Sequence, residues 1–229
     1  MSMLNRQARA PWTLRQALLV ILVVSLVQVL INLLGVVEFT NPSGVVLWSL
    51  ADGFLYIGGI YLFLRVQAKS GWTGLGLHRK NIARSVLVGV LTGALTALVV
   101  LGTGWLIVEL FGKNPEPQPI EQALKYSVQG WQIWALALAG VILAPVKEEI
   151  LFRGFLYPAL RDRVGIKWGI LLTAIFFALA HGDLIRFVPL LIGGIALNMV
   201  FERTGSLYTA IVAHAIWNGA MGIIALVWR

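Results

Sequence analysis

Three stretches in the first half of the chain, residues 14–37, 45–66 and 82–111, are almost unbroken runs of apolar side chains. Each exceeds the roughly 20 residues that a helix needs to cross the hydrocarbon core of a bilayer. In that medium every backbone N–H and C=O must be satisfied within the chain itself, so runs of this length are read as helices. No alternating ten-residue segments suggest a membrane β-barrel. Composition agrees: 59% of the 229 residues are hydrophobic, 12% are charged, and the mean hydropathy is +0.84, far above what a soluble domain of this length carries. The expected fold class is all-α, a polytopic transmembrane bundle of about seven to eight membrane helices.

The segment 113–121 divides the chain, because Pro115, Pro117 and Pro119 forbid a continuous helix. It separates N-terminal spans (1–112) from a membrane core (122–229), and the two form one integrated domain. In the second part a helix is expected from Gln122 to Leu160 with a kink at Pro145, followed by helices over 168–180, 187–201 and 207–227. Gly89, Gly93 and Ala97 recur at four-residue spacing, a strip that lets another helix pack closely.

The net charge of +8 comes from Lys and Arg in short connections between apolar runs, not from a basic arm, so no nucleic-acid partner is expected. The basic N-terminus (Arg6, Arg9, Arg15) and the connection 65–84 are cytoplasmic by the positive-inside rule, and the turn around Glu38 is external. By parity Arg161, Arg163, Lys167 and Arg203 are cytoplasmic too. The expected location is the plasma (cell inner) membrane, with the N-terminus cytoplasmic and membrane lipids as partners. The absence of cysteine excludes disulfides, thiolate metal sites and a cysteine nucleophile.

Against this apolar background six residues stand out: Glu148, Glu149, Arg153, His181, His214 and Asn218. Ionisable groups inside membrane helices are expensive to keep and mark functional sites by default. Counted from the basic connections, Glu149 is roughly 18 Å along its helix, His181 roughly 21 Å, His214 roughly 16 Å and Asn218 roughly 22 Å, so three helices deliver polar groups to one layer. Glu149 and Arg153 share a helix face, as do His214 and Asn218. Glu148 points about 100° away from Glu149. This gives an internal Glu149–Arg153 ion pair and a Glu148 that faces a cavity with the histidines, without a counter-charge of its own and suited to act as a general base. Asn218 fits a catalytic role or a hydrogen bond to a neighbouring helix equally well.

The string contains no HExxH zinc helix and no GxSxG elbow, and Gly182–Asp183 lacks the fuller aspartyl-protease pattern. In order, however, Glu148-Glu149-xxx-Arg153, Phe177-xxx-His181 and His214-xxx-Asn218 resemble the motifs of the CPBP family of intramembrane proteases, which includes type II CAAX prenyl endopeptidases and proteins linked to bacteriocin processing and self-immunity. The resemblance covers roughly residues 135–228. It implies that Glu148 activates water with help from His181, that His214 and Asn218 stabilise the oxyanion or complete the polar site, and that Glu149, Arg153 and Phe177 support them. The implied substrate is a membrane-associated or lipid-modified peptide, reached through a cavity on the cytoplasmic side. Zn2+ held by Glu148, His181 and His214 is one way to activate water, and the carboxylate alone is another. A different class also suits these residues, a proton-coupled transporter or an immunity or scaffold protein that keeps the same polar groups without hydrolysis.

Overall fold

The computed structural model describes residues 9–35, 41–78, 81–112, 114–127 and 129–227, less the Ala225 side chain. Arg6, the Glu38 turn, Arg79 and Lys80 lie outside the described residues. The architecture is helical, with no strand among the described residues. Helices α1 (Leu14–Leu33), α2 (Pro42–Val66) and α3 (Ile82–Phe111) match the three expected spans. Thr13 caps α1, its hydroxyl accepting from the Gln16 N–H and the Gln16 side chain accepting from the Thr13 N–H. Asn41 caps α2 by accepting from the Gly44 N–H, with Pro42 in the first turn, where its missing donor is harmless.

The second half departs from the expected single helix. A short helix α4 (Pro119–Tyr126) starts inside the proline-rich segment, because Pro119 is tolerated in a first turn and Gln118 and Glu121 form a capping box. The chain breaks at 127–129 and a long helix, α5, runs over 130–164. Instead of one kink at Pro145, α5 contains two π-helical segments, Ala139–Leu143 and Ile150–Leu156, on either side of Ala144–Glu149. Pro145 explains part of this. The Ala144 N–H bonds back five residues to the Ala139 carbonyl, so the next donor in that register would be Pro145, which has none. The Gly140 carbonyl thereby loses that backbone donor. After Gly165, at φ +84°, come α6 (Ile166–Leu179), α7 (Phe187–Thr204) and α8 (Leu207–Val227).

Five helices, α1, α2, α3, α7 and α8, are long and apolar enough to cross a membrane, and α5 and the shorter α6 complete the bundle. The protein is an integral membrane protein. Leucines and valines on the outer faces of α1, α2 and α3 are exposed as lipid-facing surfaces are. The small-residue strip on α3 packs against α8: a Cβ on Gly93 would collide with the Ala213 carbonyl oxygen, and one on Gly89 would sit 2.7 Å from Val212 Cβ.

The basic connections gather at one end of the bundle. There the Ala10 N–H donates to Asp162 (2.7 Å), the Trp12 indole donates to the Phe155 carbonyl in the second π segment (2.9 Å), and the Leu207 N–H donates to the Gly76 carbonyl (2.9 Å). Phe155, Leu156, Tyr157, Phe177 and Phe201 fill the interior of that half. The opposite half, beneath the proline-rich loop and α4, is hollow.

Candidate active site

The hollow is a cavity of about 930 Å³ whose floor carries Glu148, His181 and His214. Glu148 lies in the segment between the two π turns. His181 sits just past the end of α6, where its N–H bonds to the Ala178 carbonyl, so it belongs to the turn that follows the helix and not to the helix itself. His214 comes from the middle of α8. Three elements therefore deliver these side chains to one place, as the helix arithmetic predicts. Glu148 Oε2 is 4.0 Å from His181 Nε2 and 3.8 Å from His214 Nε2. Both gaps are too long for a direct hydrogen bond and short enough for one water to bond all three groups.

Each histidine is oriented through its other nitrogen. His181 Nδ1–H donates to the Phe177 carbonyl (2.8 Å), which points Nε2 toward Glu148. His214 Nδ1–H donates to Glu149 Oε1 (2.7 Å), and Nε2 again faces Glu148. Phe177 is the hub beneath them, its ring edge-on to His181 and His214 and under the Arg153 guanidinium at 4.6 Å. The His214 ring also stacks on Trp217, and no residue but glycine fits at 193, where a Cβ would come within 2.5 Å of that indole.

Glu148 and Glu149 are adjacent in sequence and opposite in setting. Glu149 and Arg153 are wholly buried and form the expected ion pair at 2.7 Å, while Arg153 also donates to the Gly194 carbonyl (3.1 Å). The pair is not self-contained, because Glu149 bonds His214 as well and so couples the buried charges to the cavity floor. The Glu148 side chain keeps 16% of its surface and lines the cavity, but it does not lack a counter-charge. Lys147 Nζ is 3.8 Å from Glu148 and 2.6 Å from Asp52 of α2, and Asp52 also accepts from Gln28 of α1. Asp52 and Lys147 are the residues that sequence reasoning missed. A lone carboxylate in the middle of the second apolar run was signal enough for Asp52; Lys147 was hidden by its more conspicuous acidic neighbours.

Asn218 lines the cavity, and its amide donates to the Gly140 carbonyl (2.9 Å), the acceptor left without a backbone donor beside Pro145. One of its two N–H bonds is thus structural, and the second is left for the cavity. Glu148, His181 and His214 are the residues that would hold a Zn2+ here, and the Lys147 ammonium beside Glu148 opposes a dication at that point. The cavity walls come from the halves of α2, α3, α5 and α8 remote from the basic connections.

Comparison with known proteins meets this geometry. Residues 130–220, from the start of α5 into α8, match the family described as type II CAAX prenyl endopeptidase Rce1-like. This match supports the CPBP family. The matched region holds all the motif residues and leaves out α1, α2 and α3. A Bacillus subtilis (strain 168) protein named "Putative membrane peptidase YdiL" is 25% identical over 181 residues, which is 79% of this chain and 72% of that protein. No solved structure matches the chain significantly. Family and relative together indicate a membrane protease.

Proposed function

We propose that the protein is an intramembrane endopeptidase that hydrolyses a peptide bond of a membrane-associated or lipid-modified peptide with water activated by Glu148. The observation that carries this reading is the placing of the Glu148 carboxylate within 4.0 Å of two imidazole Nε2 atoms at the floor of a large cavity. A water there donates to Glu148, which takes its proton as the oxygen attacks the scissile carbonyl. His181, fixed by its bond to the Phe177 carbonyl, accepts the second hydrogen bond of that water and aims it. The developing oxyanion is met by His214 and by the free N–H of Asn218. Glu149 accepts from His214 Nδ1–H and so holds the imidazole with Nε2 toward the reaction centre. Glu148 then returns its proton to the leaving amine. No side chain becomes covalently attached, and no step requires a metal.

Protonatable groups in series, Asp52, Lys147, Glu148 and the histidines, also suit a proton-coupled transporter. The cavity argues against transport, since it ends at the Glu148 layer and the half below is closed by buried Phe152, Phe155 and Phe177. The test is cleavage of membrane-anchored and prenylated peptides by purified protein in lipid. Wild type is expected to cut at least one peptide, Glu148→Gln and His181→Ala to cut none, and a zinc chelator to change nothing. Activity that survives both substitutions overturns the reading, and substrate-dependent proton flux in liposomes would favour the transporter.

A further inference from the structure

We infer that the cavity is entered from the non-cytoplasmic face, so that the substrate is an extended segment of a membrane-anchored or exported polypeptide lying on that surface. The inference rests on the protease reading for its substrate and on independent observations for its direction.

The first observation is the distribution of charge. Segments 1–15, 65–84, 161–167 and 202–206 hold twelve of the 18 Lys and Arg residues and only two acidic residues, Asp162 and Glu202. By chain order the alternate segments, 34–44, 109–130, 183–186 and 227–229, hold four basic and five acidic residues. Orientation follows the excess of Lys and Arg in short loops, which stay in the cytoplasm. The fold bears out the grouping, because hydrogen bonds join the N-terminal segment to Asp162, the 66–81 connection to Leu207, and Ser85 to Ser206 at one end of the bundle.

The second observation is where the cavity lies. Its walls run from Asp52 toward Val45, from Val100 toward Val108, from Glu148 back to Leu136 and from His214 on to Leu226, in each helix on the side away from the basic end. Its roof is the proline-rich loop from Pro115 and helix α4. At the rim Arg186 bonds Glu121 (2.8 Å) and reaches Asp183 (3.5 Å), tying the roof to the turn that carries His181. Toward the cytoplasm the path is shut by the buried aromatic side chains and by the Tyr157–Glu202 bond (2.8 Å). The walls are mostly apolar, with Trp48 and Trp105 among them, and suit the side chains of a membrane-proximal segment.

The chain has no cysteine, so single introduced cysteines report on access directly. The full-length protein is expressed in a bacterial host as Ser49→Cys or Leu101→Cys on the cavity wall, Glu116→Cys in the roof loop, and Arg163→Cys at the basic end. Intact and permeabilised cells are treated with a charged, membrane-impermeant maleimide. The expected result is labelling of Glu116→Cys and of at least one wall variant in intact cells, with Arg163→Cys labelled only after permeabilisation. Wall cysteines that stay unlabelled in intact cells while Glu116→Cys reacts, or a Glu116→Cys that itself needs permeabilisation, overturn the inference. Two wall positions guard against one variant failing to fold. Labelling does not depend on catalysis, so an inactive protein with the expected pattern would sink the protease reading and leave the direction of access standing.

Discussion

The two halves of the bundle are built from the same helices and do opposite things. On the basic side of the Glu148 layer α5 is buried from Ile150 to Arg161, and its charges are consumed in pairs: Arg153 with Glu149, Arg161 with Asp162 and Glu202. On the other side the same helix lines a cavity of about 930 Å³, and its charges, Lys147 and Glu148, sit at the edge of open space. The boundary falls between two consecutive glutamates. One carboxylate is spent on holding helices together and the next is free for chemistry, and what separates them is a turn of about 100° along the helix.

Several substitutions would break or sharpen that contrast. Glu148→Gln removes the base without altering shape, and is expected to lower cleavage by at least about 10²–10⁴-fold while leaving the melting temperature unchanged; a large drop in melting would mean that this side of the layer is structural after all. Arg153→Ala strands the buried Glu149 and is expected to cost about 3–5 kcal/mol, read as lost expression and early unfolding in lipid or mild detergent. Wild-type melting of Arg153→Ala would contradict the assignment of the packed half. Gly93→Ala presses a methyl group against the Ala213 carbonyl and is expected to cost about 1–3 kcal/mol, with cleavage by the folded fraction little changed.

Smaller effects probe the seam. Asp52→Asn leaves Glu148 as the remaining ion-pair partner of Lys147 among the described residues, which draws the ammonium toward the base. Cleavage is expected to fall about tenfold, equivalent to about 1.4 kcal/mol, and Lys147→Met in the same chain should restore part of it, a coupling that a double-mutant cycle measures. Additive losses would show that Asp52 acts only by packing α2 on α5. Lys167→Ala, exposed at the basic end, is expected to change stability by no more than about 0.5 kcal/mol and sets the baseline for the others.

Much of the site was legible because polar groups in apolar helices have few reasons to exist. Glu148, Glu149, Arg153, His181 and His214 were visible by that rule, and the four-residue spacing of Glu149 and Arg153 gave their pairing. The link from Glu149 to His214 was not visible, since it joins residues 65 apart through the packing of α8 on α5. Asp52 was overlooked although the same rule applied to it, and its partner Lys147 needed the contact between α2 and α5 to gain meaning. Which half of the bundle is hollow was not legible, because a distance along each helix says how deep a residue lies and says nothing of where packing leaves space.

By itself the sequence determined that this chain lives in a membrane, which of its ends carry the positive charge, and which polar residues converge at one depth. Those properties depend on composition, on helix rise and on the cost of charge in hydrocarbon, all of which are local. Only the tertiary structure decided that α5 is interrupted twice by π turns, that Asn218 satisfies the carbonyl Pro145 leaves open, that Lys147 is shared between Asp52 and Glu148, and that the cavity lies away from the basic end. These depend on how side chains from distant segments fill or fail to fill the space between helices, and packing of that kind has no signature along the chain.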